Sequence, residues 1–148
     1  MSETSAVVQH SITVARTLQA SPETLYEAWT VPDRMRQWFA TVVEADVRVG
    51  GRYRIENHEA DGNVYAFTGE YLTLDPHETV AFTFVSALLT PDDRISDEKV
   101  TVTIREVESG RTEVSITNTW VGPEETESGY TALRAGWDEW IGRLEKLF

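Results

Sequence analysis

The sequence predicts an α+β fold in which a curved antiparallel sheet of about six to seven strands wraps around one long C-terminal helix. Apolar and polar residues alternate in successive runs between residues 42 and 121. The joints between these runs are too short for parallel crossovers, which need a dozen or more residues. The C-terminal segment instead places apolar side chains at helical spacing. A sheet with a single amphipathic helix of this length buries both apolar faces most simply by curling around it.

Residues 8–18 form the first strand, with Val8, Ile12, Val14 and Leu18 on one side and Gln9, Ser11, Thr13 and Thr17 on the other. Ser21-Pro22-Glu23 opens a helix: the serine hydroxyl can accept an unpaired backbone N–H, and proline suits the first helical position. Leu25, Ala28 and Trp29 make its apolar face. A second start follows at Pro32-Asp33, with Met35, Trp38 and Phe39 inward. Pro32 disfavours a helical residue before it, so two short helices are expected. Strands are expected at 42–47, 52–58, 64–74, 79–86, 99–107 and 112–121. Their joints carry turn chemistry at Gly50-Gly51, Asp61-Gly62-Asn63, Asp75-Pro76-His77 and Ser109-Gly110. Gly69 interrupts the longest strand and marks a bulge or bend. Residues 87–98 are the one long irregular stretch, a candidate lid. Gly122-Pro123-Glu124-Glu125 opens the final helix, with its carboxylates at the positive end of the dipole. Tyr130, Leu133, Trp137, Trp140, Ile141, Leu144 and Phe148 form the apolar stripe of that helix.

A chain of 148 residues is of the commonest size for one domain, so one domain over 1–148 is expected, with 1–6 a flexible N-terminus. Its 41% apolar content supplies a core without disulfides or metal. Cysteine is absent, which excludes a disulfide scaffold, thiolate catalysis and cysteine-ligated metal. Asp and Glu number 25 against 13 Lys and Arg, a net charge of −12. A grip on polyanions needs a basic field, so neither nucleic acid nor a membrane is an expected partner. The first ten residues lack the basic-then-apolar order of a signal peptide, and no apolar run approaches the roughly 20 residues of a membrane span. A cytoplasmic location is expected.

Several stretches resemble one family. They include Arg16, Ala20-Ser21-Pro22-Glu23, Ala28-Trp29-Thr30 with Pro32 and Trp38, and Asp46-Val47-Arg48 with Gly50-Gly51-Arg52-Tyr53. Asp61-Gly62, Gly69-Glu70-Tyr71, Phe82-Thr83-Phe84, Thr112, and Gly136-Trp137 with Leu144 continue the match in order. The chain is similar to the SRPBCC or START-like superfamily with its helix-grip fold, and within it to the group named after the activator of the heat-shock protein 90 ATPase. After Trp38 the family usually continues into Gly-Pro, whereas this chain reads Phe39-Ala40-Thr41, so the mouth of its cavity is expected to be shaped differently. The resemblance implies a small apolar or amphipathic molecule bound between sheet and helix. Its alternatives are a co-chaperone role on that ATPase and a cavity enzyme of the aromatase/cyclase kind. No nucleophile–base pair or cofactor motif supports an enzyme. No cofactor and no metal is expected, and the state is monomer or weak homodimer.

Strand parity selects Tyr53, Phe82, Phe84 and Trp120 of the candidate site, whereas the strand of Phe67 is apolar on both sides. Trp38, Tyr53, Phe67, Phe82, Phe84, Trp120, Trp137 and Ile141 are expected to line a pocket between sheet and final helix. His10, Arg16, Asn57 and Asn118 share inward parity and are its candidate polar groups; Arg16 alternatively pairs with a carboxylate near the first helix. A buried amide without a partner costs about 1–3 kcal/mol, so each either joins a structural network or meets a ligand. His58 and His77 lie beside turns and read as solvated. Gly50-Gly51 lacks phosphate-loop spacing and reads as a tight turn. Among the carboxylates Glu70 is the least unfavourable base, and Asp92-Asp93, Asp97-Glu98 and Glu124-Glu125 read as solvated charges. Gly136, with Gly129 one heptad earlier, allows either close approach of helix and sheet or room for a ligand.

Overall fold

Alternation in the first segment produces β1 (Val8–Leu18), whose Ile12, Val14 and Leu18 are buried. The computed structural model describes residues 8–86 and 95–148. The expected flexible N-terminus at 1–6, and the candidate lid at 87–98 apart from its last four residues, lie outside the described residues. After β1 come α1 (Pro22–Thr30) and α2 (Pro32–Met35). The Ser21 Oγ accepts from the Thr24 N–H at 3.2 Å, and Pro22 occupies the first turn, as the capping chemistry requires. The chain then runs through β2 (Val42–Ala45), β3 (Arg52–His58), β4 (Val64–Asp75), β5 (Thr79–Thr83), β6 (Val85–Ser86), β7 (Ser96–Glu108) and β8 (Arg111–Gly122). It ends on α3 (Glu127–Glu145).

Seven strands form one curved antiparallel sheet in the order β1-β8-β7-β5-β4-β3-β2, and the short β6 pairs with β4. Its inner face presents Val100, Val102, Val114, Ile116 and Trp120 to Trp137, Ile141 and Leu144 of α3, while Leu25, Ala28 and Trp29 of α1 close the side. This is the helix-grip arrangement.

Gly69 sits where β4 changes partners. A Cβ there would stand 1.9 Å from the Thr83 carbonyl oxygen and 2.7 Å from the Tyr53 hydroxyl. Its missing side chain lets β4 bend and pair first with β6 (Phe67 opposite Ser86) and then with β5 (Tyr71 opposite Phe82). The strand expected over 79–86 is therefore cut at Phe84, whose N–H bonds the Glu98 carbonyl at 3.0 Å.

Three expectations are corrected. The final helix does not start at Pro123: β8 continues to Gly122, and the cap is Thr126, whose Oγ1 accepts from the Gly129 N–H at 3.0 Å. The apolar stripe is narrower than its spacing suggests, since Leu133 and Phe148 are 38% and 47% exposed. The penultimate long strand begins at Ser96 rather than residue 99, which turns Glu98 from a loop charge into a strand residue of the inner face.

Candidate functional site

Aromatic rings run in continuous contact from the α1–α2 corner to α3. Trp29 meets Trp38 edge-on at 4.6 Å between centroids, and Phe39 stacks on Trp140 at 4.7 Å. Phe67 stacks on Phe84 at 4.4 Å, Phe84 meets Trp137 at 5.6 Å, and Tyr53 meets Phe82 edge-on at 5.5 Å. Six of the eight expected lining residues, Trp38, Tyr53, Phe67, Phe82, Phe84 and Trp137, thus belong to one aromatic network, with Ile141 buried beside it. Trp120 stands apart. It stacks on His10 at 5.1 Å and faces Tyr130 at 6.4 Å.

The four polar candidates have different fates. His10 is 3% exposed, and its Nε2 lies 2.8 Å from the Pro123 carbonyl while Nδ1 bonds the Tyr130 hydroxyl. A carbonyl only accepts, so Nε2 carries the proton and, in the neutral ring, Nδ1 accepts from Tyr130. His10 therefore clasps β1 to the segment that enters α3. Arg16 also clasps α3, through Asp138 at 2.5 Å and Glu145 at 3.1 Å, and not a carboxylate beside α1. Asn118 is a core junction: its Oδ1 accepts from the Trp137 indole N–H at 3.1 Å, and its Nδ2 donates to Glu98 Oε2 at 3.2 Å and the Lys99 carbonyl at 3.1 Å. Asn57 is buried, and its Nδ2 donates to the Phe39 carbonyl at 3.1 Å, which also accepts from Trp140 Nε1 at 2.7 Å.

Asn57 reaches further than the other three. It borders an open groove of about 180 Å³ between the sheet and α3, together with Tyr65, Phe67, Gly136, Trp140 and Arg143. Register explains the sheet side: Asn57 pairs with Tyr65 and Ile55 with Phe67, so the inward side chains of β3 and β4 stand next to one another. Helical spacing explains the other wall, because Gly136, Trp140 and Arg143 lie at i, i+4 and i+7. Nothing lies within 4 Å of where a Gly136 Cβ would be, so this glycine leaves the groove open. Gly129 differs, as a Cβ there would meet Glu125 at 2.0 Å. Asn57 and Arg143 also border a second, wider groove of about 450 Å³ at the end of α3, with Arg36, Thr41 and Lys146.

Sequence reasoning missed Glu98, and it placed Trp29 on the buried face of α1 without including it in the candidate site. Burial pushes the Glu98 carboxyl above the usual carboxylate range, opposed by the Asn118 hydrogen bond, so it is not a solvated loop charge. Its parity with buried Val100 and Val102 was the available signal. Burial also raises the Tyr53 phenol, whose hydroxyl donates to the Thr83 carbonyl at 2.7 Å, and pushes Tyr71 up to about 12. Trp29 is 1% exposed and its indole N–H has no hydrogen-bond partner among the described residues. It borders, with Met35, Phe39, Tyr53, Tyr71 and Phe82, an apolar space of about 10 Å³, the scale of one water molecule. Glu70, the least unfavourable base among the carboxylates, is exposed, as are His58, which pairs with Glu56 at 2.9 Å, and His77.

Sheet, helix and groove define a helix-grip protein of the START-like kind. Residues 19–148 match the family model "Activator of Hsp90 ATPase homolog 1-like protein", and the chain belongs to that family. Among curated proteins none matches. A structure from Rhizobium leguminosarum is 25% identical, over 95% of this chain and 94% of that one, with a TM-score of 0.75. The Aha1 dimer from Colwellia psychrerythraea is 21% identical over 92% and 93%, with a TM-score of 0.69. DynU16, from the dynemicin biosynthetic locus, is 22% identical over 92% of this chain and 46% of its own length, with a TM-score of 0.74. The last two show the fold alone. Among the described residues, no helix is long and apolar enough to cross a membrane.

Proposed function

We propose that this protein binds a small, largely apolar or amphipathic molecule in the groove between the sheet and α3. The observation that carries the reading is the open space beside Gly136, which Trp140 borders on α3 and Phe67, Tyr65 and the buried Asn57 amide border on the sheet. Ligand pockets usually measure about 300–1,000 Å³, so the 180 Å³ groove takes the apolar part of a ligand. The remainder extends into the wider groove that shares Asn57 and Arg143.

The neutral fluorophore N-phenylnaphthylamine tests this. It should bind the native protein saturably and quench tryptophan emission, because Trp140 forms part of the wall. Gly136→Leu should abolish binding while leaving the protein folded, since its side chain enters open space. No saturable binding to the parent would remove the reading.

A second reading, activation of a chaperone ATPase, rests on the family description. We expect no stimulation when this protein is added to a heat-shock protein 90 ATPase assay. A several-fold stimulation would put the second reading ahead.

A further inference from the structure

The two grooves share Asn57 and Arg143 and differ in the charged residues that border them. Around the smaller one, Arg143 is matched by Glu139 at 3.5 Å and Glu59 at 3.9 Å. Among the described residues the wider groove is bordered by Arg36, Arg143 and Lys146 and by no carboxylate, with Arg36 paired to Asp33 and Arg143 to Glu59 and Glu139 behind it. That is unexpected in a chain with 25 acidic and 13 basic residues, where the overall field repels anions. Arg36 is held by Asp33 and by the Val43 carbonyl at 3.2 Å, which positions its guanidinium. Lys146 has no ion pair among the described residues. Lys146 is thus the cation of this groove without an ion pair among the described residues, and it stands with the paired Arg36 and Arg143 and with Asn57 around the same groove.

We propose that the ligand is an amphipathic organic anion: its planar apolar body lies against Phe67, Tyr65 and Trp140, and its single carboxylate or sulfonate is received by Lys146 and Arg143 in the wider groove. The inference rests on the small-molecule reading above and adds the charge of the ligand to it. Ammonium and guanidinium donors to an oxyanion form charge-assisted hydrogen bonds, stronger than neutral ones. Binding here therefore discriminates an acid from a neutral analogue with the same apolar body. The attraction is local, because the net charge of −12 would weaken any non-specific anion uptake.

Anilinonaphthalene sulfonate and N-phenylnaphthylamine share their apolar body and differ in the sulfonate. Fluorescence titrations of the full chain should show the sulfonate binding about tenfold more tightly, the least expected of a hydrogen bond to a charged group. Raising the salt concentration should narrow that gap. Lys146→Gln should bring the two affinities close to equal, and Arg143→Gln should do the same independently. Gly136→Leu should abolish binding of both probes, with thermal melts verifying that each variant is folded. Equal affinities in the parent, or a preference for the sulfonate that survives both charge variants, would overturn the anion inference and leave the small-molecule reading standing. Failure of both probes to bind would remove both. Retention of both probes by Gly136→Leu would place them outside this groove and overturn the inference as well.

Discussion

Trp29 and Trp137 are both buried indoles, but among the described residues only the Trp137 N–H has a partner, the Asn118 Oδ1 at 3.1 Å. Replacing each with phenylalanine isolates that difference. Trp29→Phe removes a donor that is already unpaired, whereas Trp137→Phe leaves a buried amide oxygen unpaired. Trp137→Phe should therefore be the more destabilising by about 1–3 kcal/mol, measurable by urea denaturation. Glu98 gives a second test at this scale. Its folded pKa lies above the ordinary value because burial penalises the charge. The native state then binds the proton more tightly than the unfolded chain does. Stability falls as pH rises from the ordinary glutamate range through the raised value. Glu98→Gln keeps an acceptor for Asn118 and carries no charge. It should be more stable than the parent at about pH 7 and lose that advantage at about pH 4, as chemical denaturation at the two pH values will show.

Two glycines illustrate how differently elements tolerate a side chain. At Gly69 a Cβ would overlap a backbone oxygen that the β4–β5–β6 junction holds in place. Gly69→Ala should cost about 1–3 kcal/mol, near the upper end because backbone must move. Gly136 lies within α3 with open space beside it. Gly136→Ala should stabilise by about 1 kcal/mol through helix propensity alone. Opposite signs from the same substitution would locate the strand bend at one glycine and the groove at the other; thermal melts of the two variants decide it. A stabilising Gly69→Ala would contradict the close approach of Gly69 to the Thr83 carbonyl.

At the scale of the whole molecule, α3 is held by ties that do not depend on the groove: His10 to Tyr130 and Pro123, Arg16 to Asp138 and Glu145, and Asn118 to Trp137. The Arg16 pairs are partly exposed and contribute less than about 1 kcal/mol each. The buried contacts set the position of the helix. Ligand binding should thus stabilise the existing fold rather than create it. Anilinonaphthalene sulfonate at about 100 times its Kd should add about 2.7 kcal/mol. For a chain of this size that corresponds to a rise in Tm of about 5–10 °C, read by differential scanning fluorimetry with tryptophan emission. An unchanged Tm at that concentration would mean that the probe does not bind the native state.

Alternation along β1, β3 and β8, the Ser21-Pro22 cap and the turn glycines are local patterns, and they determined the element order, the antiparallel sheet and the inward parity of Tyr53, Phe82, Phe84, Asn57 and Asn118. Local pattern also placed Trp137 and Ile141 on the buried face of α3. It failed where the outcome depended on how far one element reaches across another. The stripe on α3 included Leu133 and Phe148 because periodicity marks a face of a helix but not the width of the sheet that covers it. Glu98 read as solvated because it follows Asp97 at the end of an apparent loop, whereas its carboxylate meets the buried Asn118 amide across the strands. Parity brought His10, Arg16, Asn57 and Asn118 to one side of the sheet. Only the curvature of the sheet and the path of α3 separated them into two clasps, one core junction and one amide at a groove. That separation rests on contacts spanning up to 129 residues of chain, which no local spacing encodes.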